Sequence, residues 1–446
     1  MTAAPAPPGV VRSVRRKPGK AVFILYRRHD GAVLCLNVDE RVAGPVSSGD
    51  IPELVHRLEH AAGNEPSAAE ASGVSVHALP EDPGLPALPA AWHPTAGDDL
   101  CVGLQEMLSI RAERRVNVVD ITAIPRHYKP GSRCVIEYRL TVQHPDAASV
   151  VTQAVYGKLF AKPAQARDMD ASLRLVEAAC EDDGAAFPRW SPRSLGVCEP
   201  LGMCIVEAAG TNGDLRSGTT VLRPHRAAQA ARAPCIPVAE LELAAGALVR
   251  LHTSSIAAGG LEARSAHYEA ERAVERGDLI AAYHPGMSDE IHAAAQRVAA
   301  SLTEQAAAVS LPCHGSYKRS QLVYPSDGTV TVVDWDSMCA ADPALDLGCF
   351  LAHLRPAGIW QGRRAARAWF DAASSFWTDA YARGMTARGV PHDVVAGIVG
   401  RSAAYEAATL LKMATRRLRR LQSPRPQELR ATLAAASCCL AADAAA

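Results

Sequence analysis

The chain has 446 residues, 48% hydrophobic and 21% charged, a length that predicts two or three compact units and a composition that argues against extended disorder. Lys plus Arg and Asp plus Glu balance at 47 each, which removes the electrostatic footprint of a dedicated nucleic-acid binder. The twelve cysteines include no Cys-x-x-Cys pair, so neither a disulfide framework nor a zinc site is expected, and a reducing cytoplasm fits best.

The start, Met1-Thr2-Ala3-Ala4-Pro5, reads as disordered and lacks the basic segment and apolar run of a signal peptide. Apolar runs at 21–26 and 32–38 flank an Asp30-Gly31 turn and predict a β-hairpin. Residues 51–62 alternate at helical spacing and stop at Gly63, a favourable C-terminal cap. The Ala-, Pro- and Ser-rich stretch 65–94 reads mostly as linker. A small N-terminal α/β extension, 1–95, is therefore expected.

Beyond it, a strand at 134–140 follows a Lys129-Pro130-Gly131-Ser132 turn, and a second at 150–160 carries Lys158. A helix at 166–179 and a strand at 204–207 follow. From residue 238 onward helical spacing dominates, as in Leu241, Ala245, Leu248 and Leu251. One β signal interrupts it, 321–324 and 330–333 joined through Ser326-Asp327-Gly328. The layout predicts a β-rich lobe, 96–210, a helical lobe, 211–446, and a cleft between them where ligands bind. The Ala-rich tail from Ala431 is too short and weakly apolar to span a bilayer, so no membrane partner is expected.

Phosphoryl transfer from ATP needs a cation on the donor phosphates, acidic groups for Mg²⁺ and a residue orienting the acceptor hydroxyl. Lys158, on its strand, suits the first role, although a strand Lys alone usually reads as a solvated surface residue. Val332-Val333-Asp334-Trp335-Asp336 is an apolar strand delivering two carboxylates at alternate positions, a hard-oxygen arrangement that Mg²⁺ favours; alone it reads equally as a turn cap and a solvated group. What joins them is their order: Lys158, Glu207-Ala208-Ala209-Gly210, Leu248-Val249-Arg250-Leu251-His252, His314-Gly315-Ser316, Asp334, then Asp342-Pro343-Ala344-Leu345-Asp346.

In that order, over about residues 100–420, the chain resembles the aminoglycoside phosphotransferase and choline kinase-like family. The resemblance implies an α+β fold of the two-lobed, protein kinase-like type. It implies that Lys158 binds ATP phosphates, that Glu207 to Gly210 border the adenine, and that the Gly131 turn covers the phosphates. Asp334 would hold Mg²⁺ and Asp346 would support the catalytic loop. An acidic partner for Lys158 would be Asp168 or Asp170.

The loop departs from the family's His-Gly-Asp and following Asn at two positions. Ser316 replaces the catalytic Asp, and Gln321, whose amide oxygen can still ligate a metal, replaces the Asn. A neutral hydroxyl cannot accept a proton as a carboxylate does, but a general base contributes only about 10²–10⁴-fold and phosphoryl transfer depends mostly on positioning. Asp336, Tyr317 or a water would then orient the acceptor beside His314, and Lys318 would add charge near the γ-phosphate. No nucleophile elbow, Walker A or His-Glu-x-x-His pattern occurs, and His252 and His353 read as core histidines. Lys412, Arg416, Arg417, Arg419 and Arg420 read as a solvated face, or, if they line the acceptor side, as favouring an anionic or neutral substrate.

Two functions follow. One is an ATP- and Mg²⁺-dependent phosphotransferase acting on a small-molecule hydroxyl; the other is a pseudokinase, a nucleotide-binding or scaffold module with a protein partner.

Overall fold

The structure is a computed structural model and describes residues 9–61, 73–95, 97–143, 150–182, 189–209, 215–224, 235–307, 310–422 and 425–443. Strands β1 (Val10–Lys17), β2 (Ala21–Arg27) and β3 (Val33–Asp39) form an antiparallel meander, followed by α1 (Glu40–Ala43) and α2 (Ile51–Ala61), and β4 (Val74–Ala78) pairs with the free edge of β3. The unbroken apolar run of β2 is explained by burial on both faces. Val22, Ile24 and Tyr26 pack on Leu34, Leu36, Leu54 and Leu421, and Phe23 and Leu25 pack on Leu79 and Tyr128. Edge strand β1 carries Arg12, Arg15, Arg16 and Lys17, charges that discourage edge-to-edge pairing.

One expectation changes here: the supposed linker contains β4 and α3 (Leu88–Trp92), and a strand not expected from the sequence, β1, begins at Val10. Strand β4, Val-Ser-Val-His-Ala, is short; it forms because β3 offers it a register, Leu34 opposite Ala78 through Val38 opposite Val74. Residues 1–8 and 62–72 lie outside the described part.

Helix α4 (Asp99–Ala112) is capped by Asp98, whose carboxylate accepts from the Cys101 amide at 2.8 Å. Strands β5 (Asn117–Lys129), β6 (Arg133–Gln143) and β7 (Val150–Phe160) follow, then α5 (Ala164–Asp182), β8 (Ser194–Cys198) and β9 (Met203–Glu207), giving a sheet of order β5-β6-β7-β9-β8. Cys134, Ile136, Tyr138 and Leu140 bury one face of β6 under Leu88, Ala91, Leu100 and Leu104 of α3 and α4. On the opposite face the register sets Lys129 beside Arg133, Arg133 beside Phe160 and Val135 beside Lys158.

The remaining elements are β10 (Arg216–Ser217), α6 (Gly218–Val221), α7 (Val238–His252), α8 (Ala266–Tyr283) and α9 (Ser288–Glu304). Then come β11 (Leu311–Cys313), β12 (Leu322–Tyr324), β13 (Thr331–Val332), β14 (Cys339–Ala341), α10 (Ala344–Leu354), α11 (Arg364–Ala387), α12 (His392–Arg419) and α13 (Pro426–Asp443). The expected hairpin is β12-β13, extended by β10, and β11 pairs with β14 as a separate ribbon. Helix α12 is apolar and long enough to cross a bilayer, but 61% of its apolar window is buried inside the protein.

These elements fold as two compact units. One comprises Met1–Arg167, Leu195–Val206 and Arg416–Pro424; the other comprises Asp168–Ser194, Glu207–Thr415 and Arg425–Ala446.

Candidate active site

The loop that follows β11 is organised by one carboxylate. Asp346, in the first turn of α10 and fully buried, accepts from the amides of His314 at 2.6 Å, Gly315 at 2.9 Å and Tyr317 at 3.5 Å. His252 Nε2 faces the same carboxylate at 3.4 Å, and the Tyr381 hydroxyl donates to His252 Nδ1 at 2.8 Å. Burial alone pushes the Asp346 pKa up, but the His252 hydrogen bond, the electrostatic pull of the two neighbouring imidazoles and the His314 amide outweigh it and hold the carboxyl below its usual range. His252 is thus a core histidine with satisfied nitrogens. Cys313 lies within 4.8 Å of these His252 and Asp346 atoms, and burial pushes its thiol pKa well up.

Gly315 is required by the turn itself. Its φ is +74°, and a Cβ there would stand 2.1 Å from the Ser337 carbonyl oxygen. Its own carbonyl accepts from Arg264 Nη1 at 2.7 Å.

Three expected residues are brought together beyond the turn. Gln321 is buried, and its Nε2 donates to Ser316 Oγ at 2.9 Å and to Asp334 Oδ2 at 3.1 Å. Its Oε1 is buried with no hydrogen-bond partner among the described residues. Asp334 adopts a left-handed backbone, φ +75°, two residues after the end of β13, with its side chain half-buried. The strand is tied to the loop by the Val333 amide, which donates to the Gln321 carbonyl at 2.9 Å.

The other loop residues take different positions. His314 is completely buried: its ring packs on Trp335 at 4.7 Å, and Nε2 donates to the Val333 carbonyl at 3.2 Å. Burial lowers its pKa against the pull of Asp346, so the ring is neutral and Nδ1 is left with a buried lone pair that has no hydrogen-bond partner among the described residues. The Tyr317 hydroxyl donates to the Ala244 carbonyl of α7 at 2.7 Å and is buried, so it is not free to orient an acceptor. Lys318 and Asp336 are half-buried, each beside the residues just described. Asp342 takes a two-toothed ion pair from Arg401, 2.6 and 3.1 Å.

Glu207 ends β9, its amide donating to the Arg193 carbonyl at 2.9 Å, and with Ala208 and Ala209 it borders a cavity of about 390 Å³ that Arg189, Arg193 and Asp327 also line. Gly210 lies outside the described residues. Asp170 is engaged by Arg174 at 2.9 Å and by the Ser194 hydroxyl at 2.5 Å, whereas Asp168 is exposed.

In the other unit, Lys158 is buried on its sheet face with Nζ 5.5 Å from the Phe160 ring centre. Gly131, φ +56°, makes the β5–β6 turn, and its amide donates to Asp82 Oδ2 at 2.8 Å. Residues that sequence reasoning missed are Asp82, Arg264 and Trp335. Each acts on the loops from a distant position, and only the Asp334-Trp335-Asp336 run gave any signal.

The family model described as "Phosphotransferase enzyme family" matches residues 162–385, just over half of the chain. The chain belongs to that family. No curated protein sequence matches this phosphotransferase-family chain significantly. Among solved structures, a glucosamine kinase in complex with glucosamine, ADP and inorganic phosphate aligns with TM-score 0.50 and 14% identity over 97% of this chain and 94% of that one. A choline kinase from Streptococcus pneumoniae aligns with TM-score 0.41 and 12% identity over 77% of this chain and 100% of that one. A spectinomycin phosphotransferase in complex with ADP and spectinomycin gives 0.42 and 10%, over 78% and 99%. The likeness to the glucosamine kinase is one of fold, and the α+β, kinase-like class expected from the sequence is the class observed.

Proposed function

We propose that the chain is an ATP- and Mg²⁺-dependent phosphotransferase acting on a small-molecule hydroxyl. The observation that carries this reading is the buried, unpartnered Gln321 Oε1 beside the Asp334 carboxylate. An orphaned buried oxygen costs about 1–3 kcal/mol and persists where something else completes it. Two hard oxygens fit Mg²⁺, which when bound neutralises charge on the donor phosphates. Family membership and the ADP held by a glucosamine kinase of the same fold agree with nucleotide use.

In this reading Asp334 and Gln321 would hold the metal, Lys158 would bind the nucleotide phosphates, and Glu207 would mark the nucleotide-base border. Asp346 fixes the loop through three amides, and His314 wedges it against Trp335, a positioning role. Ser316 Oγ, held by Gln321, orients the acceptor hydroxyl by hydrogen bonding, and Asp336 is the half-buried carboxylate of the adjoining turn that takes its proton. Lys318 adds positive charge at the loop. The acceptor is a neutral or amino-bearing small molecule, as the amino sugar bound by that kinase suggests.

The test is ADP release with Mg²⁺-ATP over a panel of sugars, amino alcohols and aminoglycosides. Asp334→Asn, a residue tolerant of the same left-handed backbone, is expected to lower turnover by about 10² or more while leaving the fold intact. Ser316→Asp is expected to raise it. A second reading, a nucleotide-binding pseudokinase, is favoured by the engagement of Ser316 Oγ with Gln321. Mg²⁺-ATP binding with no ADP release from wild type or Ser316→Asp selects it, and absence of Mg²⁺-ATP binding removes both readings.

A further inference from the structure

The cavity of about 390 Å³ beside Glu207 is walled chiefly by three segments of one compact unit: residues 189–193, which run into β8, residues 207–209, at the end of β9, and residues 325–331, across the β12–β13 turn. Hydrogen bonds tie these walls together. The Glu207 amide donates to the Arg193 carbonyl at 2.9 Å, the Val332 amide to the Trp190 carbonyl at 2.8 Å, and the Thr331 hydroxyl to the Ala209 carbonyl at 3.4 Å. The space is therefore built into the fold, and its volume lies within the range of small-molecule sites, about 300–1,000 Å³. In the sheet order β5-β6-β7-β9-β8, β9 separates β7, the strand of Lys158, from β8, the strand that the arginine segment enters. The arginines thus approach Glu207 from the β8 side.

Their guanidinium groups are short of acceptors. Arg189 Nη1 and Arg193 Nε converge on one carboxylate oxygen, Glu177 Oε1 of α5, at 3.8 and 3.6 Å, and Arg189 Nη2 stands 3.6 Å from Glu181. Such separations balance charge but are too long for hydrogen bonds. Both the Nη1 of Arg189 and the Nε of Arg193 are buried with no hydrogen-bond partner among the described residues. A buried donor in that state calls for an acceptor. Glu181 is largely exposed, so solvent screens its pull. The other two walls carry the opposite sign: Glu207 is half-buried, and Asp327, exposed at the turn, accepts through Oδ1 from the Thr329 amide at 3.0 Å and hydroxyl at 2.6 Å.

We infer that this cavity binds a small zwitterion, its carboxylate on Arg189 and Arg193 and its ammonium toward Glu207 and Asp327. Guanidinium forks match the two oxygens of a carboxylate, which supply the acceptors that the buried N–H groups lack. A simple anion would suit the arginines but be repelled by Glu207 and Asp327, and a simple cation would meet the reverse. A molecule carrying both charges answers the whole lining, whose two arginines face two carboxylates. The chemical class is that of the free amino acids. The site is separate from the one proposed for phosphoryl transfer and does not rest on that reading.

Calorimetric titration of the full chain with γ-aminobutyrate tests the site, beside butyrate and butylamine, each of which lacks one of its charges. γ-Aminobutyrate is expected to bind about fivefold or more tightly than either, and Arg193→Gln and Asp327→Asn each to weaken it about fivefold. Thermal unfolding establishes that each variant is folded; Asn at 327 keeps the oxygen that caps Thr329. Saturating Mg²⁺-ATP is expected to leave the affinity unchanged. Absence of γ-aminobutyrate binding, equal affinity for butyrate, or equal affinity in wild type and both variants overturns the inference. Displacement by Mg²⁺-ATP also overturns it, because the cavity would then be part of the nucleotide site. None of these outcomes depends on whether ADP is ever released.

Discussion

The Asp346 carboxylate holds the loop in a way no neutral side chain can replace. It accepts from three backbone amides while fully buried, and hydrogen bonds to a charged acceptor are each worth about 1.5–3 kcal/mol. Asp346→Asn is therefore expected to destabilise the protein by about 3–5 kcal/mol in denaturant unfolding. Because the folded carboxyl lies below its usual range, its contribution is complete above about pH 4 and disappears as the pH falls through the folded value. The Asn variant is expected to lose that part of the acid-unfolding slope. A stability curve that matches wild type below pH 4 and above it would show that the carboxylate is not the organising group. Ser316, Gln321 and Asp334 were legible because their spacing is fixed by the motif. The burial of His314 and of the Tyr317 hydroxyl was not, because it depends on Trp335 and Ala244 closing over them from elsewhere in the chain.

Among the elements, α10 crosses α12 with almost no space. A Cβ on Gly348 would meet the Glu406 amide nitrogen at 2.4 Å and the Ser402 carbonyl oxygen at 2.6 Å, both backbone atoms that cannot swing away. Beside this crossing the buried Glu406 accepts from Arg355 Nε at 2.8 Å, with burial pushing the Glu406 carboxyl up more than Arg355 pulls it down. Gly348→Ala is expected to cost about 3 kcal/mol and to lower the thermal midpoint; an unchanged midpoint would mean the two helices separate freely. Strands β6 and β7 could be read from apolar alternation because one face is core. Strand β5 could not: Pro125 and its exposed charges hide it, and it exists because β6 supplies its pairing partner, with register shifts on either side. The same holds for β4, whose five residues alternate but make too short a run, inside an Ala-, Pro- and Ser-rich stretch, to announce a strand.

At the scale of the whole molecule, charges that balance in number do not balance in space. At the β5–β6 turn burial, and after it the neighbouring cations Arg15, Arg133 and Lys17, disfavours the charged form of Lys129. Lys129 titrates at about 8 in the folded chain but near its ordinary, higher value when unfolded, so the folded state sheds its proton first and gains stability as pH rises between those values. Lys129→Gln is expected to raise the thermal midpoint by about 1–3 °C at pH 7 in phosphate-free buffer, with the gap closing as the pH passes from about 8 to 10. A gap that widens over that interval would contradict the lowered Lys129 pKa and its origin in burial and repulsion.

Leu421 fills the core of a sheet whose other strands are among the first residues of the chain. A ribosome releases β1 to β3 long before it has made residue 421, so that core stays incomplete through most of synthesis. The nascent sheet must keep an apolar face waiting, and a chain cut short within α12 would lose its N-terminal packing although every residue of that sheet is present.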